Sequence, residues 1–207
     1  AAGASSSVVN RAQVGGGGDP TKPSLPATNG SSASACPAPV APATTYSNVL
    51  SGCASVLDPV RRVQLSLSKS DGQPILPING QTTYQFVVSN TGNADSVGTI
   101  HFRDVLPMPM NWPASLSKGG PNGADWTCAR DGAGMNSIRR VSCTSNVVIP
   151  AGQTSIFTLI ANVNGAAAGT QFVNRARIGG GGDPDLLPGL PEPGDVSNDC
   201  TANNVEP

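Results

Sequence analysis

Apolar and polar residues alternate with a period of two along most of residues 62–178, the mark of half-buried β-strands. Val63, Leu65, Leu67 and Lys69 fall on one face of a segment that begins near Arg62. Tyr84, Phe86 and Val88 share a face of residues 82–89. Ile100, Phe102 and Asp104 share a face of residues 97–105, which Pro107 and Pro109 end. Residues 126–128 and 141–143 read as two arms of a hairpin joined across Asp131-Gly132-Ala133-Gly134, and residues 154–163 and 172–178 complete the set. Turn chemistry separates these segments at Ser70-Asp71-Gly72, Asn79-Gly80 and Asn90-Thr91-Gly92-Asn93. Residues 75–78 read as short and extended, and residues 107–125 as an irregular loop around Trp112. Seven or eight strands at this spacing predict an all-β fold, an antiparallel sandwich with Greek-key connections.

The last of these strands occurs twice. Val8, Asn10, Ala12 and Val14 alternate as Phe172, Asn174, Ala176 and Ile178 do, and each copy runs into four glycines and Asp-Pro. Such a repeat predicts either a slice of a tandem array or a subunit that lends a strand to a neighbouring copy. The chain then divides into an orphan strand at 1–14, a linker rich in Gly, Pro and Ser at 15–61, a sandwich at 62–178 and an acidic Gly/Pro linker at 179–207.

Composition narrows the function. Charged residues are 12% of the chain and the net charge is −1, so no basic patch exists to attract nucleic acid. No apolar run approaches the ~18 residues of a membrane span, so direct membrane insertion is not expected. The cysteines at 36, 53, 128, 143 and 200 lack metal-ligand spacing and there is one histidine, so neither a metal nor a cofactor is expected. Spaced cysteines in a chain rich in Ser, Gly and Pro fit an oxidising compartment. Cys128 and Cys143 lie on adjacent arms and are the favoured disulfide, with Cys36 and Cys53 next. Cys200 is then left over for an intermolecular bond or for exchange with Cys36. The glycine runs are not phosphate loops, because no Lys-Ser/Thr and no helix follow them.

Five segments in order, Leu65-Ser66-Leu67-Ser68-Lys69, Tyr84 to Gly92 (Tyr-Gln-Phe-Val-Val-Ser-Asn-Thr-Gly), Arg103-Asp104-Val105-Leu106-Pro107, Ile149-Pro150-Ala151-Gly152 and Val173-Asn174-Arg175-Ala176, resemble the conserved repeat domain of unknown function found in long, tandemly repeated bacterial surface proteins. The resemblance covers about residues 62–178 and the strand at 8–14. It implies an immunoglobulin-like sandwich in an exported, often fibrous protein, with no enzyme activity.

The alternation itself puts three polar residues on core faces: Lys69, Asp104 and Asn174. An unpaired buried ammonium is costly, so Lys69 needs a partner or must lose its charge. The first and last strands of a sandwich are commonly neighbours. A buried lysine beside a buried acid can attack an asparagine amide and release ammonia, as in the isopeptide bonds of some surface adhesins and pilins. Lys69 is then the nucleophile, Asn174 the acceptor and Asp104 the proton shuttle. Two plainer readings stay open: a noncovalent Lys–Asp pair with Asn174 bonded to backbone, and a Lys69 whose stem reaches solvent. Asn10 stands where Asn174 stands, as acceptor for a partner outside the chain. The expected function is that of an extracellular structural protein, built into a filament, sheath or fibre with copies of itself. An adhesin that binds carbohydrate or protein, with Trp112 on its ligand surface, is the alternative.

Overall fold

The computed structural model describes residues 7–13, 53–132, 138–165, 172–189 and 201–205, with side chains for 60–132, 138–165 and 174–189. Two units emerge, one spanning residues 4–61 and one spanning residues 62–207 together with the first three residues.

In the smaller unit, β1 (Ser7–Gln13) pairs antiparallel with β2 (Cys53–Pro59), Asn10 opposite Val56 and Gln13 opposite Cys53. The segment 53–59, read from sequence as linker, is therefore a strand, and β1 has a partner within its own chain. Val14 and Cys36 lie outside the described residues.

The larger unit contains β3 (Leu65–Ser70), β4 (Gly80–Asn90), β5 (Ile100–Val105), β6 (Lys118–Gly119), a single 3₁₀ turn (Gly123–Asp125), β7 (Thr127–Arg130), β8 (Arg140–Ser145), β9 (Thr154–Val163), β10 (Phe172–Gly180) and β11 (Thr201–Val205). One sheet has the order β3-β4-β9-β6 and the other β11-β10-β5-β8-β7, with every pairing antiparallel. The links β4–β5, β5–β6, β6–β7, β8–β9 and β9–β10 all pass from one sheet to the other. This is an immunoglobulin-like Greek-key sandwich.

The alternation seen in the sequence becomes the core. Exposure along β3 and β4 is strictly two-periodic through Leu65, Leu67, Tyr84, Phe86 and Val88, all turned inward. Phe157 stacks between Trp126 and Phe86, with ring centres 4.4 and 5.0 Å away, and Phe102 meets Phe86 edge-on at 4.7 Å. Trp112 is fully buried and packs edge-on against Tyr84, so it offers no ligand surface. The loop that carries it is tied down: β6 adds to β9, and Asn111 pairs with Asn162. Residues 75–78 hold only a single bridge residue, Ile75, in place of a short strand.

The run after β10 is not a free linker. Gly180, Gly181 and Gly182 all take positive φ, and a Cβ on Gly180 would lie 2.3 Å from the Thr99 carbonyl oxygen. Asp183, expected in solvent, is 6% exposed, and its Oδ2 accepts the Leu65 backbone N–H at 2.7 Å. Leu186 is buried beside it. The glycines and aspartate thus fasten the end of β10 onto the start of β3. Cys128 and Cys143 stand directly opposite each other on β7 and β8 and are joined by a disulfide. Cys200 lies outside the described residues, as does the Cys53 side chain.

Candidate crosslinking site

Strand phase turns Lys69 inward at the far end of β3, where it pairs with Phe86 of β4. Asp104 sits on β5 opposite Ala176 of β10, so Asn174, two residues along β10, faces the same side. β3 belongs to one sheet and β10 to the other, and they approach at the open side of the sandwich. The three polar residues singled out by alternation thus converge in one apolar pocket.

Lys69 Nζ donates to Asp104 Oδ2 at 2.5 Å, and neither side chain is exposed to solvent at all. Asn174 is likewise fully buried. Neither of its amide atoms completes a hydrogen bond of regular geometry, nor does Asp104 Oδ1. The amide is nevertheless close enough to Asp104 and to Tyr84 to favour the ionised form of each. The approach is thus close but outside regular hydrogen-bond geometry. Burial pushes the Asp104 carboxyl above its ordinary value, an effect the Lys69 charge opposes. A carboxyl of that kind accepts a proton from the neighbouring ammonium more readily than an exposed one would.

Alternation did not single out Tyr84. The Lys69 ammonium lies over its ring, 4.4 Å from the centre, and is 5.5 Å from the ring centre of Phe86. Burial holds the Tyr84 phenol strongly in its neutral form, with its O–H directed to Met110 Sδ at 3.8 Å. The signal was present in the hairpin register, since Tyr84 and Phe86 are successive inward residues on the strand beside Lys69. The two rings wall the lysine off from water.

A second cluster sits on β5 and β8. Arg103 pairs with Asp131 at 2.5 Å, and the Ser142 hydroxyl donates to the same carboxylate oxygen at 2.6 Å. The Ser142 bond, with Arg103 and Arg140 nearby, holds the Asp131 carboxyl below its ordinary value. This group is partly exposed and contains no electrophile.

No protein-family model matches the sequence, and no curated protein matches it. Solved structures do resemble the fold. The CARDB domain of PF1109 from Pyrococcus furiosus is similar at TM-score 0.41 and 13% identity, over 71% of this chain and 94% of that one. The collagen-binding domain of a Staphylococcus aureus adhesin gives 0.40 and 12%, over 69% and 97%. The major pilin SpaA of Corynebacterium diphtheriae, a modular pilus assembly with stabilising isopeptide bonds, gives 0.43 and 14%, over 69% of this chain and 37% of the pilin. Likenesses this weak identify neither a family nor a function.

Proposed function

We propose that this chain is a structural module of an exported, surface-displayed fibre, and that Lys69 and Asn174 become joined by an amide bond. The observation that carries the reading is the fully buried Lys69–Asp104 pair beside a fully buried asparagine amide whose polar atoms lack regular partners. The chemistry balances. Asp104 takes a proton from the Lys69 ammonium, and the free amine attacks Asn174 Cγ. The new Nζ–Cγ bond forms as the Cγ–Nδ2 bond breaks; Asp104 returns its proton to Nδ2, which leaves as ammonia, and then takes up the second Nζ proton, so that the amide nitrogen keeps one hydrogen. The reaction consumes its own side chains and happens once, so it strengthens the protein and turns over no substrate.

Mechanics supports the same reading. The chain enters the sandwich beside Leu65 and Gly181 and leaves along β11 toward the opposite end, where Val205 pairs with Phe172. Load applied between entry and exit acts on β3 and on the β10–β11 pair. A covalent bond from β3 to β10 carries that load past the strands between them. Exposed large apolar residues gather at the same two ends, Val97, Val147, Val148 and Leu187 at the entry and Ile75, Ile78 and Met108 at the exit. That distribution suits end-to-end stacking of modules. The Cys128–Cys143 disulfide fits an oxidising, extracellular setting. Trp112, the residue the adhesin alternative would rest on, lies in the core.

Intact mass of the denatured, reduced protein tests the proposal. A mass one ammonia below the sequence mass, restored in full by Asn174→Ala or Lys69→Arg, is expected. The full sequence mass in the unaltered protein refutes the bond.

A further inference from the structure

The glycine run after β10 is written by what it touches. A Cβ on Gly180 would strike the Thr99 carbonyl oxygen at 2.3 Å, and one on Gly181 would strike Leu65 Cδ1 at 2.5 Å. The Gly181 N–H donates to the Thr99 carbonyl, and the Gly181 carbonyl accepts the Val97 N–H. Asp183 accepts the N–H of Leu65. These residues are therefore docking chemistry for a frame made of the β3 start and the β4–β5 connection. Asn174 adds a further requirement, since it faces Lys69 and Asp104 of that same frame.

The chain carries the whole of this chemistry a second time. Asn10, Gly15 to Gly18, Asp19 and Pro20 repeat Asn174, Gly179 to Gly182, Asp183 and Pro184 at a constant shift of 164 residues. The hairpin architecture is repeated as well: β1 pairs antiparallel with β2, which begins at Cys53, as β10 pairs with β11, which begins directly after Cys200. β10 has β5 on its other edge, whereas among the described residues β1 and β2 form a sheet of two strands. An isolated two-stranded hairpin is marginal in water, and an unconstrained linker has no need of four glycines followed by Asp-Pro.

We infer that β1, β2 and the glycine run at 15–18 are the closing hairpin of a second sandwich, and that their partner is another frame of the β3–β9 type in a preceding repeat of the same polypeptide. Stoichiometry decides against strand exchange among copies of this chain. Each copy brings two hairpins, but the Leu65–Lys69 and Tyr84–Gly92 segments of the frame occur once. However such copies trade strands, one hairpin per chain is left without a frame. Asn10 is then the amide acceptor of the preceding sandwich, a role that rests on the crosslink proposed above; the docking itself does not.

The test adds the missing frame. A second copy of residues 60–164 joined directly ahead of Ala1 restores the spacing of the repeat. Hydrogen–deuterium exchange is read at residues 7–13 in this fusion and in the 207-residue chain. In the shorter chain, β1 is expected to exchange far faster than β10. In the fusion, β1 becomes as protected as β10, and Gly16→Ala, at the position equivalent to Gly180, removes that protection while leaving the exchange of the shorter chain unchanged. Equal protection of β1 and β10 in the monomeric 207-residue chain overturns the inference, as does a β1 that exchanges equally fast in both proteins. Intact mass separates this idea from the crosslink: protection gained with no ammonia lost keeps the docking and rejects the bond, whereas a fusion short by two ammonias supports both.

Discussion

Two carboxylates, Asp104 on β5 and Asp131 just past the end of β7, meet opposite fates because of what surrounds them. Asp104 is sealed among Lys69, Tyr84 and Phe86, and burial raises its proton affinity. Asp131 sits at a wetter edge, where the Ser142 hydroxyl and two arginines lower it. In the proposed reaction the first moves a proton, while the second holds a charge. Asp104→Ala removes the carboxylate that the buried Lys69 ammonium contacts. We expect a loss of about 3–5 kcal/mol in urea unfolding, together with an intact mass equal to the full sequence mass. For Asp131 the folded value lies below the unfolded 3.8. Its contribution is therefore complete above that value and is lost as pH falls through the lowered folded value. Because Asp131 is partly exposed, Asp131→Asn is expected to cost less than about 1 kcal/mol near neutral pH. It also flattens the acid limb of a stability–pH curve measured below pH 4. A mutant curve that keeps the acid limb of the parent removes Asp131 from that account.

Among the elements, the connections distinguish two kinds of glycine. Gly152 and Gly180 both have positive φ, 75° and 73°, yet a Cβ at Gly152 meets nothing within 4 Å while one at Gly180 meets backbone at 2.3 Å. Gly152→Ala is expected to cost about 1 kcal/mol, the strain of a left-handed alanine. Gly180→Ala adds a backbone collision and is expected to cost at least about twice as much, read as the difference between two thermal or urea midpoints. Equal losses would mean that the β10 end is not clamped as described. This contrast also marks where the sequence was readable. Period-two alternation located the inward faces of β3, β4, β5 and β10 and put Lys69, Asp104 and Asn174 on them, because burial on one face leaves a pattern in the residues themselves. It could not find β2 and β11, whose residues, Cys53–Pro59 and Thr201–Val205, are short, mixed and flanked by Gly and Pro; their pairing is set by the neighbouring strand. Nor could it place Trp112 or Asp183, since nothing local distinguishes a loop packed on a core from one in solvent. Tyr84 was seen as core and missed as a wall of the lysine pocket, because its role depends on the β3–β4 register.

At the scale of the whole molecule, two covalent ties divide the work. The Cys128–Cys143 disulfide closes a loop of 15 residues within one sheet, and its loss is expected to lower stability by about 3 kcal/mol in the chain-entropy model. The proposed Lys69–Asn174 bond joins the two sheets and encloses that loop entirely. Pulling a single molecule from Arg62 to Val205 separates their effects. With the amide in place, the stretch from Lys69 to Asn174 cannot extend. About 104 residues at roughly 3.5 Å each, on the order of 360 Å, are then missing from the unfolding length. Asn174→Ala removes the bond and is expected to release all of that length except the roughly 50 Å still held by the disulfide. Reduction of the disulfide adds nothing in the parent, since Cys128 and Cys143 lie inside the locked segment. In Asn174→Ala it frees a further ~14 residues, about 50 Å. A parent protein that extends to its full length under force, or lengthens on reduction, would show that the sandwich bears load through hydrogen-bonded strands alone.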